Sequence, residues 1–327
     1  MSYNQMNFEQ RYTIECMLKQ KQSIAIIAKT ISRNESSLHR ELRRNKKPRG
    51  SYSSHYAQML ADERKKEGHL KKRFTIQMEQ YVRDKLKNQW SPDQIVGKAK
   101  KEGIEMVSHE RIYQFIWQDK ANGGELHKDL RTGMKKYKKR YGSKSSRGQI
   151  PNKVSIEQRP KIVEENKRIG DLESDLIIGK DHKGALLTIV DRYSSFLWIA
   201  DVKGKKKDAV KKATINILAS HKQWIHTITN DNGKEFAEHQ KIAEKLQCEV
   251  FFAHPYSSWE RGLNEYTNKL IRQYFPKNKT LENVDQIKIN RVIELLNNRP
   301  RKKLGYKTPK EVFYQYINQN KKLALAS

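Results

Sequence analysis

The stretch 131–149, RTGMKKYKKRYGSKSSRGQ, constrains the fold of this chain more than any other, with eight basic residues, three glycines, three serines and no acid. It cannot bury enough apolar surface to offset the entropy of ordering itself, so it reads as a linker that settles only on a polyanion. Before it, apolar residues recur at helical spacing throughout. After it come strand-like runs, LIIG, ALLTIV, FLWIADV and EVFF, separated by helical stretches, which is the alternation of an α/β domain. The expected fold class is therefore multidomain: an all-α N-terminal region followed by an α/β domain.

Charge narrows the partner. The chain of 327 residues carries 67 Lys and Arg against 37 Asp and Glu, a formal charge of +30, and the excess is present both before and after residue 150. Such a balance favours a polyanion, because each phosphate neutralised by a cation releases condensed counterions. No stretch approaches the ~20 consecutive apolar residues of a membrane helix, so no membrane partner is expected. The N-terminal run MSYNQMNFEQRYT has no basic region followed by an apolar block, and the protein reads as cytoplasmic. Cys16 and Cys248 lie far apart without CxxC or Cys/His spacing, so neither a disulfide framework nor a zinc site is expected, and both read as buried thiols.

The first helical unit spans 8–45. A helix at 8–19 is followed by SIAIIAKTI (23–31), a break at SRN, and ESSLHRELRRN (35–45). Asn34 or Ser32 can cap the third helix, and Glu35 suits its first turn. Ile24, Ile27, Ala28, Ile31, Leu38 and Leu42 are spaced to pack two short helices across a tight turn, a helix-turn-helix pattern. The last helix presents Ser36, Ser37, His39, Arg40, Arg43 and Arg44, with short hydroxyls first and cations later. In a recognition helix the early residues meet base edges and the later basic ones hold phosphates. A solvated cationic face on an ordinary helical hairpin is the alternative.

A second unit follows. WSPDQIVGKAKKEG combines Ser91 as N-cap, Pro92 at the first helical position and Gln94 at the third, with Gly103 as a stop. VSHERIYQFIWQDK then begins a helix capped by Ser108, with Ile112, Phe115 and Ile116 on its buried side and Ser108, His109, Arg111 and Gln114 facing outward. It reads as a second DNA-contacting helix, or else as part of a structural bundle. The mixed-charge run ADERKKEGHLKKRF between the units is compatible with a helix or a tether. The expected boundaries are 1–50 and 51–130 for the two helical DNA-binding domains, 131–160 for the basic linker and 161–327 for the α/β domain with C-terminal helices.

In a chain so rich in cations, acids embedded in apolar strands are the anomaly. Asp175 in DLESDLIIGK precedes a run fit for a buried strand, where an unpaired ionised carboxylate costs several kcal/mol. Asp231 follows a short strand (226–229) in HTITNDNGKEF, before a helix expected near Lys234; the carboxyl ends of strands in α/β sheets are where ligands bind. Glu265, in ERGLNEYTNKLIRQYF, is spaced with Asn268 and Arg272 at i, i+3 and i+7, on one face of a helix beginning at Gly262 or Asn264. Taken singly, Asp231 has a plain Asx turn closing a strand as its alternative reading, and the Glu265 trio reads as an ordinary solvated stripe. Together, two strand-associated aspartates and a helical glutamate are a donor set for two hard divalent cations, Mg²⁺ or Mn²⁺.

The order Asp175, Asp231, Glu265, with 55 and 33 residues between them, resembles the DDE triad of bacterial insertion-sequence transposases of the IS-thirty group, related in fold to retroviral integrases. The words IGDLESDLIIG, TNDNGKEFA, HPYSSWERGLNEYTNKLIRQYFPK and NNRPRKKLGYKTPKEVF are similar as well, and the resemblance covers nearly the whole chain. It implies an RNase H-like, integrase-type catalytic core after residue 160. In that core Asp175 and Asp231 would ligate two metal ions from adjacent strands, and Glu265 would complete the site from the following helix. It further implies that Arg272 contacts DNA near the reacting phosphate, and that Asn264, Asn268 and the loop His254, Pro255, Tyr256, Ser257, Ser258 and Trp259 hold the DNA end. Leu172 stands where the family often has an aromatic residue, and Tyr266 where a polar residue, commonly Asn, follows the glutamate.

The implied function is transposition. The protein would bind the terminal inverted repeats of its element, pair two ends as at least a dimer, hydrolyse a phosphodiester at each and join the freed 3′ hydroxyls to target DNA. Two other readings stay open: a DNA-binding regulator derived from a transposase with a silent core, and a structure-selective nuclease of RNase H type.

Overall fold

The computed structural model describes residues 5–47, 50–69, 74–131, 150–202, 204, 206–255 and 257–326. The basic run expected to be a linker, at 132–149, lies outside them. The chain divides into two compact units, Met1–Arg73 and Phe74–Ser327.

The first unit holds α1 (Phe8–Lys19), α2 (Ile24–Thr30), α3 (Glu35–Arg44) and α4 (Ser54–His69). Local chemistry starts each of the first three. Asn7 and Gln10 form a reciprocal capping box on α1, Ser23 accepts from the Ile26 amide on α2, and Asn34, not Ser32, caps α3. Ile14, Ile27, Ala28, Ile31 and Leu38 make the core, with Ile24 and Leu42 partly buried at its edge. Arg11, 4% exposed, joins three helices by pairing with Glu41 (2.8 Å) and donating to Gln58 (2.7 Å). The run left open as helix or tether is helical as far as His69. The start of α4 is fixed by Glu15, which accepts from both the Ser54 amide and its hydroxyl at 2.7 Å, and these bonds together with the Lys19 pair hold the Glu15 carboxyl down to about 2. The expected boundary at residue 50 therefore falls ahead of a helix that packs on α1.

The second unit begins with α5 (Ile76–Lys87), α6 (Pro92–Lys101) and α7 (His109–Ala121), around Val82, Leu86, Ile95, Ala99, Ile112 and Ile116. The Ser91/Gln94 capping box and Pro92 start α6 as the sequence implies. The α/β part follows: β1 (Val154–Ser155), α8 (Ile162–Glu165), β2 (Asp171–Ile178), β3 (Ala185–Asp191), β4 (Leu197–Val202), α9 (Lys207–Leu218), β5 (Thr227–Asn230), α10 (His239–Leu246), β6 (Glu249–Phe252), α11 (Gly262–Ile271), α12 (Gln286–Asn297) and α13 (Pro309–Ala326). The helix expected near Lys234 is a single 3₁₀ turn, Lys234–Phe236, and α10 begins at His239.

The sheet order is β1-β6-β5-β2-β3-β4, with β2-β3-β4 an antiparallel meander and β2, β5, β6 and β1 parallel. This is the RNase H-like arrangement. Leu172, Leu176, Leu187, Ile189, Ile228 and Val250 point to one face, where they pack with residues of α9 and α10. Ile177, Leu186, Leu197 and Ile199 point to the other, against α11 and α12. Cys248 sits at the margin of the first cluster, and both cysteines are half-buried where full burial was expected. Gly170 leads into β2 with φ +91°; a Cβ there would stand 1.6 Å from the Trp224 carbonyl oxygen, so only glycine fits.

The edge strand β4 has backbone groups that β3 does not pair. The buried Asn297 side chain of α12 accepts from the Leu197 N–H (2.8 Å) and donates to the Leu197 carbonyl (2.9 Å), imitating a neighbouring strand. Asn297→Ala strands both groups away from water and should cost about 2–4 kcal/mol in denaturant unfolding; a loss under ~0.5 kcal/mol would contradict this role.

Candidate active site

Strand β2 has a periodicity of its own. Asp171, Glu173 and Asp175 alternate with Leu172, Ser174 and Leu176, so three acids share one face of the sheet. Each is partnered differently. Asp171, 2% exposed, takes a bidentate pair from Arg168 (2.8 and 3.0 Å) and a bond from Thr227. Glu173, 1% exposed, takes Arg192 on one oxygen (2.7 Å) and the backbone amide of Asn264 on the other (2.8 Å). That second bond fixes the first turn of α11 onto the sheet, where a carboxylate also suits the positive end of the helix.

With α11 so seated, Asn264 and Asn268 face the sheet and Thr188 of β3 lies under both, at 3.3 and 3.0 Å. Asn268 Nδ2 donates to Asp175 Oδ2 at 2.8 Å, while the Leu176 amide donates to Oδ1. Asp231 follows the carboxyl end of β5, and its Oδ1 accepts from the Gly233 amide in an Asx turn. Arg261, just ahead of α11, spans the two aspartates: Nη1 lies 3.7 Å from Asp175 and Nη2 3.8 Å from Asp231. Burial pushes the Asp175 carboxyl up to about 6; Arg261 opposes the rise and the Asp231 charge adds to it.

The third acid is not gathered with them. Glu265 is half-exposed and pairs with Lys269, one helical turn on, at 2.9 Å. Of the trio expected on one face, only Asn268 and Arg272 bond to β2. Among the described residues, no three His, Cys, Asp or Glu side chains stand close enough to hold a metal ion. Arg272, expected at DNA, donates to the Ile178 carbonyl (2.8 Å) and the Phe275 carbonyl (3.4 Å), closing the end of β2. His254 is held between Glu260 (2.7 Å) and Glu157 (3.2 Å), chiefly the former, and that contact raises its pKa. Trp259 stands 73% exposed and Pro255 is exposed, while Ser257 is half-buried. Tyr256 and the Ser258 side chain lie outside the described residues.

In the helical regions Ser36, His39, Arg40, Arg43 and Arg44 are exposed along α3, and Ser37 is half-buried. On α7, Ser108 caps the helix by accepting from the Arg111 amide; His109 and Gln114 are exposed, and the Arg111 guanidinium lies 5.6 Å from the centre of the Phe74 ring. Sequence reasoning missed Glu173 and Arg261. Glu173 had a signal, since it lies two residues from Asp175 on the same strand face. Arg261 had none, because only the fold brings it between the aspartates.

An RNase H-like sheet with two aspartates at adjacent strands, in a chain that also carries a helix-turn-helix unit, defines the class: a DNA-acting protein with an integrase-type core. Family models agree, "Integrase core domain" over residues 166–258 and "Helix-turn-helix domain" over residues 2–45. The transposase for insertion sequence element IS4351 of Bacteroides fragilis is 51% identical over 95% of this chain and 96% of its own length. The transposase for IS1086 of Cupriavidus metallidurans is 32% identical over 96% of each chain. InsI, the transposase for IS30A of Escherichia coli, is 31% identical over 94% of this chain and 82% of its own. The catalytic core domain of BIV integrase is 16% identical with a TM-score of 0.37, over 46% of this chain and 97% of that one, a likeness too slight to bear on activity. The chain belongs to the insertion-sequence transposases of the IS-thirty group. Among the described residues no helix is long and apolar enough to cross a membrane.

The raised Asp175 pKa has a sign that can be tested. Below about pH 4 the carboxyl is protonated folded or unfolded and costs nothing; above about pH 6 it is ionised in both, and the fold bears the full penalty. Asp175→Asn, whose new amide the Asn268 amide can reverse to meet, should therefore raise stability at pH 8 by about 1–2 kcal/mol in chelator. The gain should vanish near pH 4. A difference independent of pH, read by thermal melts, would refute the assignment.

Proposed function

We propose that this transposase works as a DDE enzyme: Asp175, Asp231 and Glu265 hold two divalent cations, Mg²⁺ or Mn²⁺, and the site cleaves DNA at the ends of its element and joins them to target DNA. The observation that carries the reading is the pair Asp175 and Asp231, on adjacent strands and drawn toward one guanidinium, in a core of the integrase type. The donor chemistry fits. Two carboxylates on one cationic group, one of them reluctant to ionise, form an oxygen-only site that favours a small hard cation. Recruiting Glu265 gives up its pair with Lys269, an exposed i,i+4 contact worth only about 0.3–0.5 kcal/mol.

When bound, divalent cations supply Lewis-acid stabilisation of the phosphodiester and lower the pKa of the attacking water or hydroxyl. The rest is done by the chain's own groups. Asn268 orients Asp175 through its amide, Glu173 holds the helix that carries Asn268 and Glu265, and Arg261 offsets the repulsion between the two aspartates. The carboxylates act as ligands and not as nucleophiles, so no covalent protein–DNA intermediate forms.

Recognition belongs to the helical units. Ser36, Ser37, His39 and Arg40 lie toward the start of α3, where a recognition helix meets base edges, and Arg43 and Arg44 toward its end, where phosphates are held. Ser108, His109, Arg111 and Gln114 of α7 form a second contact; the boundaries expected at 51–130, 131–160 and 161–327 shift, because α4 belongs with the first unit and β1, at 154–155, is already a strand of the catalytic sheet. At the DNA end the exposed Trp259 makes the contact, Asn268 acts through Asp175, and Arg272 supports β2 through main-chain bonds; Asn264, wholly buried against Thr188, positions α11 and does not reach DNA. The substrate is the terminal inverted repeat of the element and then target DNA, and two paired ends require at least a dimer.

Asp231→Ala should abolish cleavage of labelled end-containing DNA in Mg²⁺ and leave its gel shift intact; undiminished cleavage would sink the proposal. A binding-competent but inactive wild type would favour the regulator reading. Affinity for the same DNA should fall about 10³- to 10⁵-fold between 50 and 200 mM salt if roughly six to ten phosphates are contacted; a flat salt response excludes that mode of binding.

A further inference from the structure

On the side of α11 away from Asp175, a pocket of about 480 Å³ opens between that helix, the start of α6 and the turn after α12. Its volume lies within the ~300–1,000 Å³ common for small-ligand sites. The turn carries the sequence Arg299-Pro300-Arg301-Lys302-Lys303, and Gln94 of the α6 capping box donates to the Pro300 carbonyl at 2.8 Å, which fixes the turn against the helical region.

Arg299 and Arg301 are 2% and 7% exposed. Neither meets a carboxylate among the described residues. Arg299 donates to the Tyr274 hydroxyl (2.7 Å) and to Gln89 Oε1 (3.4 Å) and Arg301 to the Leu296 carbonyl (3.0 Å), while among the described residues Arg299 Nε and Arg301 Nε and Nη1 have no acceptor. Among the described residues the one acid lining the pocket, Asp93, is engaged by Tyr306 (3.2 Å) and Lys302 (3.8 Å). Burial and the neighbouring Arg299 charge lower the pKa of the Arg301 guanidinium. Two desolvated guanidinium groups side by side cost several kcal/mol unless an anion answers them, and planar N–H donors suit phosphate. The opposite wall is of another kind: Leu263, Leu270 and the Tyr266 ring, with Arg131 at 5.0 Å from the centre of that ring. Cations on one side and an aromatic, apolar wall on the other is how single-stranded nucleic acid is held.

We propose that this pocket lodges one nucleotide of a DNA strand, its phosphate on Arg299 and Arg301 with Lys303 at the rim, and its base against Tyr266 and Leu263. The proposal rests on the reading of the chain as a DNA-processing enzyme and adds a strand-holding site next to Glu265, which precedes Tyr266 on α11. Tyr266, the residue that departs from the commoner asparagine, then supplies the π-face on which the base stacks.

The test is binding of a short fluorescein-labelled oligothymidylate to the full chain in EDTA at low salt, a probe without duplex or inverted repeat. Arg301→Met should weaken it at least ~10-fold without lowering the thermal midpoint, since a buried unpaired cation is removed. Tyr266→Ala should weaken it by a similar factor, as loss of one stacked base predicts, while competition by inorganic phosphate stays unchanged. Should Arg301→Met fail to fold, Tyr266→Ala and Arg131→Gln, both at exposed residues, carry the test. Wild-type affinity in these variants overturns the proposal. So does equal competition by inorganic phosphate and thymidine monophosphate, which would mean a bare anion site. Because the readout is binding without metal, its failure is distinct from a failure of the cleavage assay.

Discussion

The bond from the Asn264 amide to Glu173 is the constraint on which the candidate site depends. A carboxylate 1% exposed in the middle of a sheet cannot be left unpaired, and Arg192 satisfies one oxygen only. The other takes a backbone N–H of the first turn of α11, a group that a helix cannot satisfy internally. Each solves the other's problem, and the solution fixes a direction. Once residue 264 is held on β2, residue 268 follows one turn later, over Asp175 and Thr188, and Arg261 precedes it between the aspartates. The polar face of β2 thus positions the helix, and the helix in turn orients one of the acids.

The chain's cations fall into two groups by the same reasoning. Arg11, Arg159, Arg168 and Arg192 are wholly or largely buried and paired with acids or hydroxyls, so they hold elements together. Arg40, Arg43 and Arg44 on α3 are exposed and have no acid in the helix after Glu41. A charge of +30 is thus less a uniform coat than a structural set and a surface set for polyanions, with a small buried remainder at Arg299 and Arg301 that the fold itself does not answer.

How much of this was legible depends on range. Capping boxes, Pro92 at the start of α6 and the α3 cap depend on residues within four positions of each other, and were readable because the energies are local. The strands of the α/β part were readable from apolar runs, and Asp175 and Asp231 from being acids beside them. The turn at Lys234 was misread as the start of a helix because the Asx turn at Asp231 and the 3₁₀ turn after it use up the residues first. Glu265 illustrates the opposite limit. Its i,i+4 partner Lys269 is in plain sight in the sequence, and that local pair competes with the long-range gathering of three acids. Arg261 and the Arg299–Arg301 pocket were invisible, since their meaning comes from partners that are distant in the chain or missing.

Residues 265 and 266 differ by one position, hence by about 100° around α11. Tyr266 lines the cationic pocket, while Asn264 and Asn268, on the opposite side of the helix, face Asp175 and Thr188, so the helix is a wall between the candidate site and the proposed strand pocket. Because Glu173 pins the start of that wall and Arg272 ties its end to Ile178, the wall cannot pivot without breaking buried bonds at one end or the other. For a strand held in the pocket as proposed, that rigidity would set a fixed offset from the acids, and a fixed offset is what converts a general affinity for polyanions into a choice of which phosphodiester is presented to the chemistry.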